Sequence, residues 1–179
     1  MDDGPLFLQK EIPVEPEDDA ATLFDKLIPL GLSALKEALE QIAQGRITKI
    51  AQSGEPTLAP MIDKQNAVLD FQTMSAEQIH HKVRGLACGP KARTFIRLNG
   101  KEELLQILRT QLPQPPQDAQ AAPGSILAVE STKGILVKCK QGSIWVVTVH
   151  PAGKKPMPAA DFANGHSVKP TGEVVFCHD

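Results

Sequence analysis

The stretch Gly142-Ser143-Ile144-Trp145-Val146-Val147-Thr148-Val149-His150-Pro151-Ala152-Gly153-Lys154-Lys155-Pro156-Met157 decides how the chain is read. Ile144, Val146 and Thr148 share one side of an extended chain and Trp145, Val147 and Val149 the other, because strand side chains alternate with period two. Both faces are largely apolar. Pro151 and Gly153 end the pairing, since proline lacks a ladder donor and glycine opens turn geometries closed to other residues. The segment is therefore a strand feeding a loop whose tip carries Lys154 and Lys155.

Working outward, residues 125–129 and 134–140 are two further strand candidates, with turns at Lys133-Gly134 and Gln141-Gly142. Residues 93–98 alternate as a strand, Asn99-Gly100 is a two-residue hairpin signal, and residues 103–108 return. Residues 111–123, rich in Pro, Gln and Ala, form a flexible loop without a core of its own. Five short strands preceded by one helix predict a small closed or partly open barrel, where closure removes vulnerable edges. A last candidate strand, residues 173–177, has no clear partner. The preceding helix starts at Ser75, which can accept from the Gln78 amide in a capping box, and buries Ile79, Val83 and Leu86.

The front of the chain differs in kind. Leu6, Leu8, Ile12 and Val14, among prolines, predict a short extended piece, which is not stable without neighbours. Glu17, Asp18 and Asp19 supply an N-cap acid and favourable dipole charge to a helical run in which Leu23, Phe24, Leu27 and Ile28, then Leu32, Leu35, Leu39 and Ile42, recur at helical spacing. Pro29 and Gly31 interrupt it, predicting two helices or one kinked there, with the leucine stripe as core. Residues 46–65 lose periodicity and read as a connector.

A length of 179 residues allows one medium domain or parts of two, and 41% hydrophobic with 22% charged residues is ordinary for a globular chain. No apolar run reaches the roughly 18 residues of a membrane span, and the acidic Met1-Asp2-Asp3 start carries no secretory signal. Cys88, Cys139 and Cys177 lack paired metal-ligand spacing and read as reduced thiols. Residues 1–66 carry 6 Lys/Arg against 12 Asp/Glu, and residues 67–179 carry 13 against 9. The second half is the one to test for nucleic acid.

Several collinear blocks resemble methionyl-tRNA formyltransferase. Pro151-Ala152-Gly153-Lys154-Lys155-x-Met157, followed by Asp161, Phe162, Asn164 and Gly165, resembles the family's C-terminal end and is the most specific of them. Asp2-Asp3-Gly4-Pro5 resembles its Asp-Thr-Gly-Pro, and Thr22-Leu23-Phe24-Asp25-Lys26-Leu27 its Thr-Leu-x-x-Lys-Leu helix. Leu69-Asp70-Phe71 is similar to the Ile-Asp-Trp that opens its C-terminal domain. Pro123-Gly124-Ser125-Ile126 and Gly134-Ile135-Leu136-Val137 are similar to its barrel strands. Where the family commonly has Arg-x-x-Asn-Pro-Trp-Pro, this chain has Arg84-Gly85-Leu86-Ala87-Cys88-Gly89-Pro90, which keeps the Arg and the final Pro and loses the Trp, and Cys88 is expected to be a small packing residue.

The resemblance implies an α+β fragment: residues 1–50 end a Rossmann-like formyltransferase domain, residues 51–66 are a linker, and residues 67–179 form a small OB-fold-like β-barrel with an N-terminal helix that binds tRNA. The implied reaction moves a formyl group from 10-formyltetrahydrofolate to the amino group of methionyl initiator tRNA. Of the family's catalytic Asn, His and Asp only the Asp has a counterpart, Asp2, two positions before Gly4. The expectation is a truncated chain, inactive alone and binding no folate itself. Its expected setting is the cytoplasm or an organellar matrix, as a monomer without DNA or membrane partners.

Lys82, Arg84, Lys91, Arg93 and Arg97 form a candidate basic stripe from the helix end across the first strand, with Arg93 and Arg97 sharing strand parity. Lys154 and Lys155 add a second cluster. Two readings stay open: phosphate contacts, which position RNA without reading its sequence, or a solvated mixed-charge face. His80, His81 and His150 lack metal-ligand partners and read as surface or helix-end residues. The alternatives to the formyltransferase fragment are a stand-alone basic barrel that binds RNA, a related formyltransferase acting on a sugar nucleotide, or a folate hydrolase domain.

Overall fold

A computed structural model describes residues 4–46, 48–98, 100–115, 119–170 and 175–177. The chain divides into two compact units, Met1–Met61 and Ile62–Asp179.

The first unit is built on one helix, α1 (Ala20–Ala43). Asp19 caps it, accepting from the amides of Ala21 and Thr22 while the Thr22 hydroxyl accepts from the Asp19 amide at 2.9 Å. It ends in a Schellman arrangement: Gly45 has φ +69°, its amide donates to Ile42 and the Arg46 amide to Gln41. Pro29 lies inside without ending the helix. The sequence left open a second helix, and the structure keeps a single one because the exposed position leaves the freed carbonyl to water. The expected core stripe is not a core. Leu32 is 63% exposed, and Phe24, Ile28, Leu35 and Leu39 are also exposed. An amphipathic helix needs a facing element to bury its stripe, and the described residues of this unit supply no further helix and only a Leu6–Ile50 bridge in place of a strand.

Asp18 is the buried acid of this unit, 6% exposed. Lys26 reaches both its oxygens, at 2.6 and 2.8 Å, and the Glu15 amide and Thr22 hydroxyl also donate to it. The Lys26 bond, then the Glu15 amide, hold its carboxyl below the ordinary aspartate range. A depressed folded pKa gives stability that is present above the unfolded pKa, roughly 4, and is lost as pH falls through the lower folded value. We expect the helix signal in far-ultraviolet circular dichroism to fall in acid below about pH 4, and Asp18→Asn to flatten that transition. An unchanged acid limb in the variant would show that other groups govern it.

The second unit is a curled antiparallel sheet with two helices. Its strands are β1 (Arg93–Leu98), β2 (Lys101–Gln111), β3 (Ile126–Glu130), β4 (Gly134–Lys138), β5 (Ser143–Pro151), β6 (Met157–Pro158) and β7 (Phe176–Cys177). The order is β3-β4-β5-β2-β1-β7, with β6 paired to β5. Strand β5 is long enough to serve three neighbours: Lys138 pairs with Ser143 at one end, Leu105 with Pro151 at the other, and Met157 with Val149 beside them. Register shifts around Arg109 in β2 increase the local bend. The expected β2 return at residues 103–108 is longer than anticipated. Strand β7, expected to have no clear partner, pairs with β1 through Ile96–Phe176. The Phe176 amide also donates to the Gly124 carbonyl, just ahead of β3, at 2.9 Å, so the two ends of the sheet approach each other. Residues 173–174 of that candidate strand, and Asn99 of the hairpin signal, lie outside the described residues; Leu98 pairs with Lys101 across the turn.

Helix α2 (Ala76–Gly85) starts at the predicted capping box: the Ser75 hydroxyl accepts from the Gln78 amide at 3.2 Å and the Gln78 side chain accepts from the Ser75 amide at 2.8 Å. Ile79, Val83 and Leu86 are buried as expected. Helix α3 (Ala159–Gly165) buries Ala159, Ala160, Phe162 and Ala163. The core joins these helices to the concave face of the sheet through Phe71, Ile96, Leu105, Ile107, Ile135 and Phe176, with the Phe71 and Phe176 rings 5.1 Å apart. Burial pushes the Cys139 thiol up to about 12. Cys88, expected to pack, is exposed instead, because the turn after α2 directs Leu86 inward and leaves the residue two positions on at the surface.

Candidate functional site

Arg93 and Arg97 do share the outer face of β1, since Thr94, Ile96 and Leu98 between and beside them are buried. Most of the expected stripe, however, is engaged locally. Arg97 meets Glu102 at 2.6 Å across the hairpin. Arg93 donates to the Lys64 carbonyl at 2.7 Å, and Lys82 to the Val68 carbonyl at 2.8 Å; burial moves the Lys82 pKa down. Arg93 ties the end of the connector to β1, joining the Ala67 amide on the Lys64 carbonyl, and Lys82 ties Val68 to α2. Lys91 donates to the Ala87 carbonyl. Arg84 is half-buried, two residues beyond Lys82 and so about 200° around the helix from it. The stripe is a set of braced cations, several with their charge partly answered.

The loop after β5 is organised differently. Pro151, Ala152, Gly153 and Lys154 form a tight turn, in which the Lys154 amide donates to the Pro151 carbonyl at 3.2 Å and Gly153 takes φ +71°; glycine suits that position of a type II turn. The His150 imidazole reaches back to the Lys154 carbonyl at 2.7 Å, and the Lys154 ammonium lies 3.5 Å from Nε2 of His166. His166, at the end of α3, packs on the buried Phe162 ring, centroids 4.6 Å apart. Lys155 is exposed, and among the described residues no hydrogen bond or ion pair engages it. The loop thus ends in a hydrogen-bonded turn followed by a cation that nothing among the described residues engages, a suitable contact for a phosphate.

The sequence placed Lys154 and Lys155 at this tip, but it assigned no role to His166 and left His150 as a surface residue. Their convergence depends on where α3 lies against β5, and the two histidines are sixteen residues apart in sequence, so no local spacing signals it. His80 bonds Thr110 at 3.0 Å. No group of three or more metal-binding side chains occurs among the described residues. Asp2 lies outside the described residues.

The family of formyl transferase C-terminal domains matches residues 61–167, which hold α2, the sheet through β6, and the lysine loop. The chain belongs to the formyltransferase C-terminal-domain family. It is 44% identical over 98% of its length to the methionyl-tRNA formyltransferase of Elusimicrobium minutum, covering 58% of that protein. It is 33% identical over 94% of its length to that of Thermodesulfovibrio yellowstonii, covering 51%. The chain spans about half the length of the curated relatives it matches, and the resemblance read from the Gly-Lys-Lys loop and its collinear blocks holds.

Among solved structures, HypX from Aquifex aeolicus superposes with a TM-score of 0.64 at 18% identity, covering 90% of this chain and 28% of that one. A second HypX structure, in complex with tetrahydrofolic acid, gives 0.63 at 17% identity over 92% of this chain. At that identity the likeness concerns the fold alone. No helix among the described residues is long and apolar enough to cross a membrane.

Proposed function

We propose that this chain is the C-terminal part of a methionyl-tRNA formyltransferase and that its sheet, an OB-fold-like barrel, holds the initiator methionyl-tRNA while the complete enzyme formylates its amino group. The observation that carries the reading is the lysine loop: the most specific family block ends in a hydrogen-bonded turn with Lys155 exposed and unpaired among the described residues. The loop that carries Lys154 and Lys155 makes the principal phosphate contact. Arg84, Lys91 and Arg97 add weaker ones, and Lys82 and Arg93 contribute charge while anchoring the segment ahead of α2. Such contacts follow the backbone and set the position of the tRNA, leaving sequence readout to other groups.

In this reading residues 1–50 complete a Rossmann-like catalytic domain, residues 51–66 link it to the tRNA-binding domain of residues 67–179, and the bare leucine face of α1 is covered by the rest of the catalytic domain. The formyl donor of the complete enzyme is 10-formyltetrahydrofolate. Asp2, outside the described residues, is the acid of its catalytic set. An acid needs its partner side chains to move a proton, so the chain alone is expected to bind tRNA without formylating it. The enzyme works in the cytoplasm or an organellar matrix.

Binding of fluorescent initiator tRNA, measured across salt, tests the reading. Counterion release predicts log K falling linearly with log salt, by roughly 0.7 to 0.9 per phosphate neutralised, with a total slope of about −2 to −4 for the loop and stripe together. Binding that ignores salt, or none at low salt, would refute it and would leave a sugar-nucleotide formyltransferase as the better reading.

A further inference from the structure

Lys154 is held at three points. Its amide donates to Pro151, its carbonyl accepts from His150, and its ammonium faces His166. The two imidazoles must differ in proton placement. A carbonyl can only accept, so His150 carries a proton on Nε2; an ammonium can only donate, so His166 offers a lone pair on Nε2. Each histidine is itself anchored: the His150 backbone sits in β5 opposite Gln106 of β2, and the His166 ring lies on Phe162, which is 2% exposed. The neighbouring Lys155 has none of these ties among the described residues.

We propose a division of labour within the lysine pair: Lys155 is the cation that touches the RNA phosphate, whereas Lys154 is a brace, with His150 and His166 as the positioning residues that hold it. The inference rests on the reading that this loop binds RNA. A flexible loop with two free lysines would lose backbone and rotamer freedom on binding. Tying Lys154 to the ends of β5 and α3 meets that cost during folding, and the turn meets its ligand already ordered.

The two roles separate in a salt titration. A residue that neutralises a phosphate changes the slope of log K against log salt, while a positioning residue changes affinity at every salt and leaves the slope alone. The affinity of the full chain for initiator tRNA would be measured from about 50 to 250 mM salt for the parent and for Lys155→Gln, Lys154→Gln, His166→Phe, His150→Ala and His150→Gln. Lys155→Gln should flatten the slope by about one. Lys154→Gln, His166→Phe and His150→Ala should weaken binding about three- to tenfold with the slope kept. His150→Gln, whose amide can still donate to the Lys154 carbonyl, should recover most of the loss. His166→Phe keeps the ring on Phe162 and removes only the acceptor, and thermal melts of all five variants should match the parent. Equal flattening by Lys154→Gln and Lys155→Gln would overturn the division, as would histidine variants that bind like the parent while Lys155→Gln does not. If neither lysine variant changes affinity, the RNA reading itself falls.

Discussion

Gly134→Ala is expected to destabilise the sheet by about 4 kcal/mol, lowering the melting temperature by roughly 10 to 20 °C. Two costs combine at this residue. Its φ of +101° is a conformation that a Cβ makes strained. The added Cβ would also drive far inside van der Waals contact with the Val146 carbonyl oxygen, and would lie 3.1 Å from the Val146 carbonyl carbon and 3.2 Å from Cα of Val147. Those atoms are backbone of β5, which pairs with β2, β4 and β6, so no side chain can swing away. Gly100→Ala is the control: its φ is +77°, a Cβ there would meet nothing within 4 Å, and the change should cost only about 1 kcal/mol of backbone strain. Thermal melts followed by circular dichroism check both. Equal losses in the two variants would mean that the approach to Val146 carries no weight.

Reversing both loop charges, Lys154→Glu with Lys155→Glu, should lower affinity for initiator tRNA roughly 30- to 100-fold at moderate salt. The substitution removes the attraction and adds repulsion at an exposed turn that no core residue depends on, so the melting temperature should hold. Arg97→Gln is expected to lose less than about threefold, because Glu102 already answers its charge at 2.6 Å. The contrast separates the lysine loop from the strand as the seat of binding. A larger effect at Arg97 than at the loop would move the interface to the outer face of β1.

Much of the second unit could be read locally. The alternation in residues 143–149 is that of a strand buried on both sides, and Ile144, Trp145, Val146 and Val149 are indeed buried. The β1–β2 register, in which Leu98 pairs with Lys101, places Arg97 opposite Glu102; the ion pair that answers the arginine follows from counting outward along the two strands. Ser75 with Gln78, and Asp19 ahead of α1, were legible because a cap involves groups only three residues apart.

What the chain determined by itself was whatever depends on near neighbours: the caps, the turns, the strand alternation, the lysine tip and the family to which these blocks belong. Tertiary structure decided the rest. The pairing of β7 with β1, the approach of β4 to the Val146 carbonyl, and the meeting of His150 and His166 at Lys154 are set by how far the sheet curls and where α3 comes to lie. The leucine stripe of α1 shows the same division from the other side. Its periodicity specifies an apolar face at helical spacing, but burial requires a second surface, and a sequence pattern cannot supply the surface that covers it.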